Sequence, residues 1–86
     1  MELNKLKRKV EEFEKKAGFD KTSADELIKM IEKEINILKS NLSNKEIMEN
    51  KLVDLHVLLL QVAVRYNIDL DAEWKRHFKR SEKYLK

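Results

Sequence analysis

Residues 23–43 read SADELIKMIEKEINILKSNLS, and this stretch decides the fold. Leu27, Ile28, Met30, Ile31, Ile35, Ile37, Leu38 and Leu42 fall on one arc of a helical wheel turned by about 100° per residue. Ser23 stands just before the arc and Glu26 follows three residues later, which is a capping-box pattern. Glu34 projects near the middle of the arc, one turn from Met30, Ile31, Ile37 and Leu38. An unpaired carboxylate in apolar surroundings is either costly or protonated. Glu34 therefore needs a partner: a metal, a base or a hydrogen-bond network.

Outward from this helix the same pattern continues. Ser43 and Glu46 repeat the capping signature and are expected to open the next helix. Its middle, residues 52–64, is apolar almost all round, which predicts a central helix or one that also faces a partner subunit. Upstream, Leu3, Leu6, Val10, Phe13 and Ala17 form the apolar stripe of a first helix, and Gly18 follows where a left-handed residue would end it. Downstream, Asn67 is expected to end the third helix and Asp69 or Asp71 to start a fourth. Leu70, Trp74, Phe78 and Leu85 share the apolar face of that fourth helix, with His77 and Tyr84 at its edge. The chain is thus read as one all-α domain, residues 1–86, with helices at about 2–17, 24–42, 44–66 and 70–85.

Composition supports this and narrows the function. There is no proline and one glycine, so the short turns of a β-sheet lack their usual residues. Without cysteine there is no disulfide framework, thiolate metal site or thiol nucleophile. The start is charged and has no apolar h-region of a signal peptide, and residues 52–64 are interrupted by Asp54, His56 and Gln61 and too short to span a bilayer. A cytoplasmic protein without membrane contact is expected. The net charge of +3 permits phosphate binding without requiring nucleic acid.

Other polar residues give weaker signals. Asp54 shares its side of the third helix with Asn50, Lys51, Gln61 and Arg65, either as a solvent face or as a lining that meets Glu34 across a helix pair. His56 has no second ligand at helical metal spacing and reads as packed or hydrogen-bonded. Lys75, Arg76, Lys79, Arg80, Lys83 and Lys86 form the outer side of the fourth helix, a solvated face or a basic module for nucleic acid.

These pieces together resemble the MazG-like, all-α nucleoside triphosphate pyrophosphohydrolases. The residues involved run from Val10-Glu11-Glu12-Phe13 through Gly18-Phe19-Asp20-Lys21-Thr22, then Lys51-Leu52-Val53-Asp54-Leu55, Ile68-Asp69-Leu70-Asp71 and Ser81-Glu82-Lys83-Tyr84. The resemblance implies a Glu-Glu-x-x-Glu motif on one helix and Glu-x-x-Asp on the next, whose carboxylates hold magnesium through oxygen. It also implies hydrolysis of a nucleoside triphosphate to monophosphate and pyrophosphate, and a homodimer or tetramer.

In this chain the first motif falls on Lys33-Glu34-Ile35-Asn36-Ile37 and the second on Lys51-Leu52-Val53-Asp54. Glu34 and Asp54 match motif acids and are the candidate metal residues. Lys33, Ile37 and Lys51 replace acids, and Ser81 stands where the family often has an Asn near the nucleotide. Lys83 and Tyr84 are the candidate nucleotide contacts. The leading expectation is a degenerate metal site with little or no catalysis, in which Lys51 takes the place of the cation beside Glu34, Asp54 or both. Such a protein would bind a nucleotide or serve as a structural or regulatory homo-oligomer. The alternative is an active magnesium-dependent enzyme that recruits a substitute acid such as Glu49 or one from a second subunit.

Overall fold

The computed structural model describes residues 2–81 and is helical throughout, with no strand among the described residues. Four α-helices follow in order: α1 (Leu3–Ala17), α2 (Ala24–Lys39), α3 (Lys45–Arg65) and α4 (Leu70–Ser81). Their boundaries have local causes. Gly18 ends α1 at φ 79°, where a residue without a side chain is least strained. The Ser23 hydroxyl accepts the Glu26 N–H and caps α2.

Two boundaries differ from expectation. The α2 helix stops at Lys39 rather than 42, because the Asn41 side chain donates to the Ile37 carbonyl and Ser40 Oγ donates to the Asn36 carbonyl. Leu42 is consequently exposed in the link and does not belong to the α2 arc. The cap of α3 is Asn44 instead of Ser43: its Oδ1 accepts the Ile47 N–H at 3.1 Å. At the far end of α3, Asn67 turns the chain at φ 50°, a conformation that Asn tolerates better than most residues. The expected stretch of α4 beyond Ser81 lies outside the described residues.

The core lies between α2 and α3. Leu27, Ile31 and Leu58 are buried there, with Leu55 and Val62 packed against them. The α3 helix is central: α2 lies along one side, α1 along another, and α4 meets α1. It is not enclosed within the chain, however, since Leu52, Val53 and Leu59 are exposed. No α4 residue is buried among those described; the Trp74 and Phe78 rings meet at a tilt of 59° with centroids 5.3 Å apart, both exposed.

The N-termini of α1 and α4 cap one another. Asp71 Oδ1 accepts the Leu3 N–H at 3.0 Å, and Asn4 Oδ1 accepts the Leu70 N–H at 2.9 Å. Asp69 Oδ1 accepts both the Asn4 side-chain amide and the Ala72 N–H, so Asp69 caps α4 while Asp71 serves α1. The Asn4 amide, then the Ala72 N–H, hold the Asp69 carboxyl below the usual aspartate range.

Candidate functional site

Glu34 sits on the side of α2 that faces α3, one turn beyond buried Ile31. Its side chain is 17% exposed, as its place in the apolar arc requires. Opposite it, α3 presents Lys51 and, three residues on, Asp54. The Lys51 Nζ stands 3.2 Å from Glu34 Oε2 and 3.5 Å from Asp54 Oδ2. One ammonium thus lies between two carboxylates carried by two packed helices. The contact to Glu34 has ion-pair distance without the alignment of a hydrogen bond, and Glu34 Oε2 has no hydrogen-bond partner among the described residues. The Glu34 carboxylate is the leading reason that the Lys51 ammonium holds its proton above the usual lysine range, with Asp54 adding to it.

Glu34 and Asp54 line an open pocket together with Met30, Val57 and Leu58. Magnesium prefers octahedral oxygen ligation, often one or two carboxylates with substrate phosphates. Here the place between the carboxylates holds a positive charge, which repels a second cation. Among the described residues no group of three or more Asp, Glu, His or Cys side chains could hold a metal ion. The donor set does not fit a divalent cation.

The other candidates lie apart. Lys33 is exposed and Ile37 half-buried. Glu49 pairs with Lys45 at 3.8 Å on the outer side of α3 and is not brought to the pair. His56 Nδ1 meets the Leu52 carbonyl at 2.6 Å, a hydrogen bond within its own helix. Ser81 is half-buried at the end of α4, whereas Lys83 and Tyr84 lie outside the described residues.

Sequence reasoning missed a second ion pair. Glu14 is 1% exposed, and the Arg65 guanidinium donates to its Oε2 while also donating to the Thr22 and Phe19 carbonyls. Arg65 thereby ties α1, the link after it and α3 together. Glu14 Oε1 is buried with no hydrogen-bond partner among the described residues. The one sequence signal was that Glu14 lies at the edge of the α1 stripe, next to Leu3 and Val10 on the wheel. Nothing local said which cation would answer it.

The chain matches no protein-family model, and no significant match was found among curated proteins or solved structures.

Proposed function

We propose that this chain is a MazG-like domain in which a lysine ammonium has taken the place of the metal, and that it serves as a structural or regulatory homo-oligomer instead of a hydrolase. One observation carries the proposal: Lys51 lies within ion-pair distance of both Glu34 and Asp54, the two acids that match the family motifs. An ammonium neutralises carboxylates as a cation does, so Glu34 can stay charged on the α2–α3 seam. It has no vacant coordination position, however, and cannot bind a water and lower its pKa as a metal ion does. Among the described residues at the pair, no carboxylate or imidazole is left free to activate water. His56 is engaged with the Leu52 carbonyl, and both motif acids are committed to Lys51.

The test is an assay for pyrophosphate release from a panel of ribo- and deoxynucleoside triphosphates with excess magnesium. The expected result is no release above the background seen with Glu34→Gln. Turnover that Glu34→Gln and Asp54→Asn abolish would overturn the proposal and establish the enzyme.

A further inference from the structure

The α4 helix is fixed to α1 at its first turn and stands off α3. Asp71 and Asn4 hold the corner where α1 and α4 begin, and the Lys7 ammonium, donating to the Ile68 carbonyl, ties the α3–α4 link to it. From this corner a wedge opens between α3 and α4, with a volume of about 680 Å³. Small-molecule sites hold roughly 300–1,000 Å³ and are mostly apolar with a few placed polar groups. The wedge has that make-up, and its polarity is graded. Leu3 and Leu70 line it at the corner, and Leu6, Leu59, Leu60 and Trp74 line it further out. His56 follows one turn further from the link on α3, and His77 and Arg80 one to two turns further along α4. The mouth is positive. Glu73, the one acid lining the wedge among the described residues, is paired by Arg76, which does not line it. Arg80 has no ion-pair partner among the described residues.

We propose that the wedge binds a straight-chain monocarboxylate, with the acyl chain between α3 and α4 and the carboxylate at Arg80 and His77. The graded lining matches an amphipathic molecule laid along the wedge. Leucines and the Trp74 indole take the chain out of water, and the guanidinium that no carboxylate answers takes the head. A guanidinium suits this head because its planar donors meet both carboxylate oxygens. A neutral hydrocarbon leaves Arg80 unanswered, and a small inorganic anion leaves the leucines open to water. The site goes beyond the proposed loss of hydrolysis. It shares no residue with the pocket at Glu34 and Asp54 and lies on a different face of α3.

Trp74 is the chain's one tryptophan, so its emission reports on the wedge. Titration of the full chain with octanoate and decanoate, each below its micellar concentration, is expected to shift that emission to the blue and to saturate. Affinity is expected to rise about fourfold per added methylene, the ratio that ~0.8 kcal/mol per buried CH₂ gives. Arg80→Gln, at an exposed position, is expected to weaken decanoate by about 10-fold and to leave decanol unchanged. Leu59→Glu, at a position 49% exposed, is expected to weaken both by more than about 10-fold while helical circular dichroism is unchanged. An emission that does not respond to decanoate overturns the proposal, whether the wedge is then empty or covered by a second copy. A response to vesicles of anionic phospholipid without one to free decanoate gives the face to a bilayer and overturns it too. So does an Arg80→Gln variant that binds decanoate as the wild type does, or a Leu59→Glu variant that binds both ligands unchanged. None of these readouts involves pyrophosphate release, so this proposal and the proposed loss of catalysis fail separately.

Discussion

A carboxylate on the seam of two packed helices needs a positive charge, and Lys51 provides it for Glu34 from one turn ahead of Asp54. Breaking such a pair on one side strands the other charge, while replacing both with apolar groups is often neutral or stabilising. Lys51→Met is therefore expected to lower the thermal midpoint at neutral pH, and Glu34→Met/Lys51→Met to regain it, both measured by circular dichroism. The sign of the pH dependence follows from the raised Lys51 pKa. Its stabilisation is fully present below the ordinary lysine value of about 10.4 and is lost as pH rises through the higher folded value. The gap between wild type and Lys51→Met should accordingly close only in strong alkali. At this scale the sequence was half legible. The wheel placed Glu34 in the apolar arc and so demanded a partner, and the resemblance to the family's second motif pointed to Lys51. Glu14 and Arg65 were invisible as a pair because they are 51 residues apart and joined only by how α1 settles on α3.

Helix starts and stops are local chemistry, and most could be read from side chains near them. Ser23, Gly18 and Asn67 do what short-range hydrogen bonding and left-handed backbone favour. The errors are also local: Asn44 caps α3 one residue after Ser43, and Asn41 closes α2 early. What no wheel reveals is which side of a helix meets its neighbour. The α1 stripe was plain, but Glu14 beside it is buried against α3 while Leu6 and Phe13 of the stripe are left exposed. That choice is held by the cross-caps with α4 and by the three donations of Arg65. Arg65→Met removes the charge that answers a buried carboxylate among the described residues and leaves two link carbonyls without this donor. It is expected to cost about 3 kcal/mol in urea unfolding. A loss below roughly 1 kcal/mol would mean that the tie between α1 and α3 lies elsewhere.

The whole molecule is an open arrangement of helices, α2 beside α3, α3 beside α1 and α1 beside α4, 42 × 35 × 21 Å in extent. Its buried apolar cluster lies on the α2–α3 seam, and that same seam carries Glu34 and Lys51. Under the proposed reading, the ammonium that supports the seam also occupies the place from which the family's metal would act. No described helix is long and apolar enough to cross a membrane. All-α architecture and helix order were legible from the periodicity; the uncovered face was not, because burial within one chain depends on how helices assemble. The most direct measurement of the account is isothermal titration of magnesium into the full chain, with and without a non-hydrolysable deoxynucleoside triphosphate. The account predicts no magnesium binding to the protein alone, and with nucleotide none beyond that of the nucleotide titrated by itself. Binding in the micromolar to low-millimolar range that Glu34→Gln and Asp54→Asn abolish would contradict it.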